Sequence, residues 1–233
     1  MESSVLRRMT DVETRHWWFR EKRNILARAV RRLGRPGRAL DIGAAGGGNS
    51  QVLIEHGWST VAADLSTTAV DIARERGIDA VQADACALPW DGGTFDLVTA
   101  FEILEHIEND HTAVAEIFRV LRPGGTALIT VPADMRLWSE HDEAVDHVRR
   151  YDRAGLCRLV EAAGLVVDEV WSWNVLLRPA VARHRKRSSG TDIDVHMPAA
   201  LNLLLFGIVA LERYLPLGSL PGVSLVLRAH RPR

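Results

Sequence analysis

Thiols are scarce in this chain: of 233 residues only Cys86 and Cys157 carry one, and neither belongs to a C-x-x-C pair. A disulfide framework and a thiolate metal or redox site are excluded, and a reducing compartment, the cytoplasm, is the expected location. An excess of either charge is also missing, since 29 Lys and Arg stand against 30 Asp and Glu. Without a global field no nucleic-acid partner is expected. Long apolar runs are absent too. The longest nearly apolar stretch, Ala199 to Leu211, interrupted by Asn202 alone, falls short of the ~20 residues that cross a bilayer. No transmembrane segment is expected. Burial as a helix is the favoured reading of this stretch; the wall of a substrate or lipid pocket, with peripheral membrane contact, is the alternative. The first residues are polar and charged, without the apolar core of a signal peptide.

What is present is enough apolar material, 47% of the chain, for one substantial core. The chain reads as a single domain with an N-terminal helical cap over residues 1–36, a core over 37–175, a helical insertion over 176–220, and a last strand and tail over 221–233. Its organising stretch is Leu40-Asp41-Ile42-Gly43-Ala44-Ala45-Gly46-Gly47-Gly48-Asn49, an apolar run that stops at an acid and breaks into glycines. That pattern predicts a buried strand, a tight turn and a helix whose first amides face a polar ligand. A dinucleotide fingerprint would use Gly43, Ala45 and Gly48, placing alanine where the backbone should approach a pyrophosphate. Asp41 would repel that group and suits a ligand with a cationic end. S-adenosylmethionine, with an ammonium and a sulfonium, satisfies this.

Strands then alternate with helices. Ser59 to Ala63 ends in Asp64, 21 residues beyond Gly43, close to the ~20 at which a second strand offers a carboxylate to ribose hydroxyls. Ala80 to Ala83 precedes Asp84-Ala85. Thr94 to Phe101 reads as a central strand, Glu102 to Leu121 as mostly helix, and Thr126 to Val131 as a fifth strand. The alternation predicts an α/β fold, a Rossmann-like doubly wound sheet.

Asp41-x-Gly43, Asp64, Asp84-Ala85 before Leu88-Pro89, Phe95-Asp96-Leu97-Val98, Leu104-Glu105-His106 and Leu121-Arg122-Pro123-Gly124-Gly125 together resemble the ordered motifs of class I S-adenosylmethionine-dependent methyltransferases. The small-molecule group that includes the ubiquinone-biosynthesis O-methyltransferases is the nearest likeness. The resemblance spans residues 39–132. It implies that Asp41 and the turn from Gly43 through Ala45 to Gly47 hold the methionine portion, that Asp64 with its neighbour Leu65 holds the ribose, that Asp84 and the Ala85 amide meet the adenine edge, and that Phe101 lines the pocket near the sulfonium. Leu165 to Trp173 reads as a sixth strand and Val223 to Arg228 as a last one, and the resemblance implies that these two pair antiparallel in an otherwise parallel sheet. One residue departs from the pattern: Ala45 stands where the family usually has a second glycine.

Beyond the motifs, the polar stretch from Pro132 to Tyr151 follows the fifth strand, at the edge where such sheets bind ligands. It carries His141 as the first candidate general base and His147 as the second, each near carboxylates. A solvated loop tied by salt bridges is the alternative. Glu102, Glu105 and His106 would share one face of a helix, and relatives that look similar here use a divalent ion, so Mg²⁺ is carried as a minor possibility. His16-Trp17-Trp18-Phe19 places aromatics in a row that no single helix face can bury. They predict either packing against the body of the domain or a lid over the cofactor. Arg178 to Gly190 is a basic run ending in Ser188-Ser189-Gly190 and reads as a linker. The expected function is methyl transfer to a hydroxyl of an apolar or aromatic small molecule. The alternatives are a non-catalytic S-adenosylmethionine-binding partner or regulator, and a methyltransferase acting on a lipid or nucleic acid.

Overall fold

The computed structural model describes residues 12–185 and 197–233. Its strands are β1 (Arg38–Ile42), β2 (Ser59–Asp64), β3 (Asp79–Gln82), β4 (Phe95–Phe101), β5 (Leu121–Pro132), β6 (Val166–Trp173) and β7 (Ser224–His230). They form one sheet in the order β3-β2-β1-β4-β5-β7-β6. Strands β1 to β5 pair in parallel, and β7 runs antiparallel between β5 and β6. The strand order reverses between β1 and β4, and open sheets take their ligands in the crevice at such a reversal.

The helices are α1 (Trp17–Arg32), α2 (Gly48–Glu55), α3 (Thr67–Glu75), α4 (Asp110–Val120), α5 (Glu140–Ala144), α6 (Arg153–Ala162), α7 (Arg178–Arg185) and α8 (Ala199–Leu211). Alternation along the strands distributes the core to both faces of the sheet. Leu40, Ile42, Val98, Ala100 and Ile129 face Ile117 and Val120 of α4 and Leu156 and Val160 of α6. Ala39, Leu97, Phe101 and Leu128 face Leu26 and Val30 of α1 and Val52 and Leu53 of α2. A central strand buried on both sides has no polar alternation to show, which is why β4 reads as an apolar run. Side chains cap helix starts: Ser66 Oγ accepts from the Ala69 amide at 3.4 Å, and Asp152 Oδ1 accepts from the Gly155 amide at 2.7 Å.

Three expectations need correction. Residues 102–109 are not an α-helix: Glu102 takes a left-handed φ of 55°, a single 3₁₀ turn covers Leu104–His106, and α4 begins only at Asp110. The Glu102 amide donates to the Thr130 carbonyl at 2.9 Å, so the β4–β5 ladder holds the chain past the strand end and turns it there. The basic run is helical from Arg178 to Arg185, anchored by Arg178, which donates to the Gly222 carbonyl at 2.8 Å and to Asp134 Oδ2 at 2.6 Å; the rest of the expected linker lies outside the described residues. Helix α8 forms over the residues expected, yet of its side chains only Val209 is buried. Among the described residues no helix is long and apolar enough to cross a membrane.

Candidate active site

The turn after β1 is pressed between neighbours that leave no room for side chains. Gly43, Ala45 and Gly47 have φ of 67°, 48° and 82°. A Cβ on Gly43 would lie 2.8 Å from the Ile103 side chain, so that position requires glycine on space and on conformation, and Gly47 requires it on conformation. Ala45, where a glycine was expected, keeps the left-handed conformation. Its amide donates to Asp64 Oδ2 at 2.9 Å, while Asp64 Oδ1 accepts from the Ser66 amide at 2.9 Å. Asp64, half-buried at the end of β2, therefore braces the turn from the neighbouring strand. Leu65 beside it is 69% exposed. Gln82 Nε2 donates to the Leu65 carbonyl at 3.0 Å and ties the ends of β2 and β3 together. Just beyond β3, Asp84 is exposed and accepts from the Cys86 amide at 2.8 Å, with Ala85 half-buried beside it. Phe101 is buried at the end of β4 and packs on the α1 and α2 side of the sheet.

Asp41 is enclosed by the sheet register. It pairs with Thr99 of β4, and both side chains leave the sheet on the face covered by α1 and α2. Thr99 Oγ1 donates to Asp41 Oδ1 at 2.6 Å, and Ser50 Oγ of α2 donates to Oδ2 at 2.7 Å. Burial pushes the Asp41 carboxyl up to about 6, against the pull of these two hydroxyls.

A second group gathers beyond β4. Glu102 Oε1 is buried without a hydrogen-bond partner, and so are both carboxylate oxygens of the fully buried Glu105. Burial, then the charge of Glu102, raises the Glu105 carboxyl well above the usual carboxylate range. From α1, Lys22 enters the same region, buried, with its ammonium 4.1 Å from the centroid of the Trp18 ring. Burial lowers its pKa, while Glu102, Glu105, Glu13 and Asp41 pull the other way. Lys22 thus lies in the field of both the turn and the segment after β4.

The polar stretch after β5 closes onto this segment. The Val148 amide donates to the Glu105 carbonyl at 2.8 Å, and α5 starts from a Ser139–Asp142 capping box. His147 Nδ1 lies 2.8 Å from Asp142 Oδ1, and His147 Nε2 lies 3.8 Å from Glu105 Oε1. Asp142, fully buried, also meets Arg150 at 2.8 Å and accepts from the Ser139 amide at 3.0 Å. Burial would raise the Asp142 carboxyl, but hydrogen bonds from His147 and Arg150, with the Arg150 and Arg185 charges, hold it down to about 2. His141 lies on α5, its ring centroid 6.2 Å from that of His147. His106 faces His147 edge-on at 4.8 Å, with its pKa lowered by burial and by His147.

The family model described as a methyltransferase domain matches residues 14–170, which takes in β1 to β5, the glycine turn and the polar stretch. The chain belongs to this methyltransferase family. It is an S-adenosylmethionine-dependent enzyme. A Mycolicibacterium smegmatis protein named "Probable S-adenosylmethionine-dependent methyltransferase" is 26% identical over 191 residues, 80% of this chain and 73% of that one. A ubiquinone biosynthesis O-methyltransferase of Burkholderia cenocepacia is 38% identical over 96 residues, 38% of this chain and 41% of its own. The same fold occurs in a Haloferax volcanii methyltransferase solved in complex with the Trm112 activator, with a TM-score of 0.67 and 23% identity over 99% of this chain and 96% of that one.

Within this methyltransferase the metal expectation loses its premise. Glu102 is not on a helix with Glu105 and His106, and the donors that converge are Glu105, His106 and His147, all within 4.8 Å of one another. Trp17 and Trp18 find their covers inside the domain: Trp17 packs with Leu177 and Val209, and Trp18 stacks beside Trp173 at 6.0 Å. The sequence reading missed Lys22, Ser50, Thr99 and Asp142. Thr99 carried a signal, a hydroxyl inside an otherwise apolar central strand. Lys22 carried none, because one lysine in an arginine-rich helix stands out only when the helix is docked.

Proposed function

We propose that this enzyme transfers the methyl group to a hydroxyl of an apolar or aromatic small molecule, with His147 as general base and Asp142 as the residue that orients it. S-adenosylmethionine supplies an activated methyl group on a sulfonium and leaves as S-adenosylhomocysteine. The proposed cofactor seat is the turn from Gly43 through Ala45 to Gly47, with Asp41 and the unpaired Glu102 Oε1 at the cationic end, Asp64 and Leu65 at the ribose, Asp84 and Ala85 at the adenine, and Phe101 as part of the wall behind. Two carboxylates near a glycine turn suit an ammonium-bearing ligand and would repel a pyrophosphate.

The observation that carries the acid-base part is the 2.8 Å contact from His147 Nδ1 to Asp142 Oδ1. A proton on Nδ1 facing a carboxylate leaves the lone pair on Nε2, and Asp142 stabilises the imidazolium formed when Nε2 takes the acceptor's proton. His141, its ring centroid 6.2 Å from that of His147, is kept as the second candidate. Ile103, packed on Gly43, joins the base's neighbour Glu105 to the cofactor turn within two residues of chain. Mg²⁺ has no part in this proposal, because two imidazoles and one carboxylate are not the oxygen-rich donor set that this ion takes.

The test is incubation with methyl-labelled S-adenosylmethionine and a panel of phenols, catechols and hydroquinones beside matched amines. Label should reach hydroxyl oxygen, and His147→Ala should cut turnover by ~10²- to 10⁴-fold while S-adenosylhomocysteine still binds. Label on the amines alone would overturn the hydroxyl assignment.

A further inference from the structure

Among the described residues, nothing covers the outer face of α8. Its inner face is fixed on α1: Asn202 Oδ1 accepts from the Trp17 amide at 2.8 Å, Asn202 Nδ2 donates to the Arg15 carbonyl at 2.9 Å, and Val209 is buried against Trp17 and Leu177. At about 100° per residue, Leu203, Leu204, Gly207 and Leu211 then fall opposite Asn202 and Val209. The leucines of that stripe are between 52% and 64% exposed, and Tyr214, just past the helix, is 81% exposed. A helix apolar all round belongs in a core or in lipid, and here only half of it has found a core.

Charge at the rim indicates what covers the other half. Arg15 is exposed where its carbonyl meets Asn202 of α8, and Arg20 lies 4.1 Å over the Phe206 ring. The acids nearby are turned inward: Glu21 is buried against Arg28 and Arg213, and Glu212 Oε1 accepts from the Leu176 amide at 2.7 Å. We infer that α8 docks this enzyme peripherally on an anionic lipid bilayer, with Leu203, Leu204 and Leu211 at the acyl boundary, Tyr214 at the headgroup level and the arginine rim on lipid phosphates. A second copy is the poorer occupant, because a two-fold contact through this stripe sets one arginine rim against another. An apolar stripe wet by headgroups and ringed by cations matches a bilayer on both counts. The inference is independent of the acceptor proposed above, since binding to lipid requires no turnover.

The experiment is vesicle flotation of the full chain with phosphatidylcholine vesicles, with and without phosphatidylglycerol, at low and high salt. Sedimentation velocity without vesicles runs alongside. Binding should need phosphatidylglycerol, weaken with salt, fall at least tenfold in the Leu203→Glu/Leu204→Glu double variant, and fall about fivefold in Arg15→Gln. Unchanged binding of S-adenosylhomocysteine and an unchanged circular dichroism spectrum show that these variants fold. The inference is overturned if the protein floats with neither vesicle, or if the double variant floats as the parent does. It is equally overturned if the parent is a dimer that the double variant dissociates while neither binds vesicles, since the second copy is then the cover.

Discussion

Asp41 ties cofactor affinity to pH. Its carboxyl is buried beneath α1 and α2 and stands at about 6, against ~3.9 for an unstructured aspartate. The folded chain therefore holds this proton more tightly than the unfolded one does. As pH rises through the window from about 4 to 6, the unliganded protein gives up stability at this group, by as much as ~3 kcal/mol at ~1.36 kcal/mol per unit. A bound ligand with a cationic amino end reverses the preference, because that end favours the ionised carboxylate. Below pH 6 the free protein is mostly protonated at Asp41, and each further unit of acidity should weaken S-adenosylmethionine binding by up to about tenfold. Above about pH 6.5 the affinity should level off. Calorimetry from pH 5 to 7.5, in buffers of different ionisation enthalpy, reads both the slope and the proton released on binding. In Asp41→Asn the slope and this proton release should disappear, and affinity at neutral pH should fall by ~1.5–3 kcal/mol, the cost of losing a charged acceptor. An affinity flat from pH 5 to 7.5 in the parent, or a slope that survives in Asp41→Asn, would refute the coupling.

Asp64 accepts from the Ala45 and Ser66 amides, so Asp64→Ala should loosen the turn and weaken S-adenosylhomocysteine binding by at least ~1.5 kcal/mol in the same assay; NAD should not bind in either form. Asp142→Asn should lower turnover nearly as far as His147→Ala, whereas His141→Ala should cost under tenfold; the reverse ranking in initial-rate measurements would make His141 the base. Turnover should be unaffected by EDTA, and a loss restored by Mg²⁺ would return a metal to the residues after β4. Leu156 is fully buried between α6 and the sheet, so Leu156→Ala should destabilise the fold by ~2–5 kcal/mol in urea titration, with the cofactor site intact below the transition.

What the sequence disclosed follows from how local each signal is. The glycine turn, Asp64 at its strand end and the alternation of strands with helices depend on nearest neighbours, and each stands where the spacing put it. The helix expected from Glu102 failed because backbone pairing to Thr130 at 2.9 Å overrides good helix formers, and no local pattern encodes that partner. Helix α8 was legible as a helix, yet its exposure was not, since apolar composition says how much a segment should bury and not whether the fold has surface to offer it. Asp142 was hidden for a similar reason. It is one of several acids in a polar stretch, distinguished only once Ser139, His147 and Arg150 converge on it.

The left-handed Glu102 connects the two halves of the site. For a non-glycine residue that conformation costs energy of order 1 kcal/mol or more, and here the strain is held by the Thr130 hydrogen bond on one side and by Ile103 packed on Gly43 on the other. A right-handed helix begun at this residue would carry Glu105 along the helix axis and away from the polar stretch. The sharp turn instead drops the chain back, so that within three residues it passes from the cofactor turn to Glu105, whose carbonyl accepts from Val148 at 2.8 Å and whose carboxyl faces His147. Backbone strain at one position thus sets the separation between the glycine turn and the histidine. That separation is the quantity a methyl transfer depends on, because the attacking atom of the acceptor and the methyl carbon must meet in line.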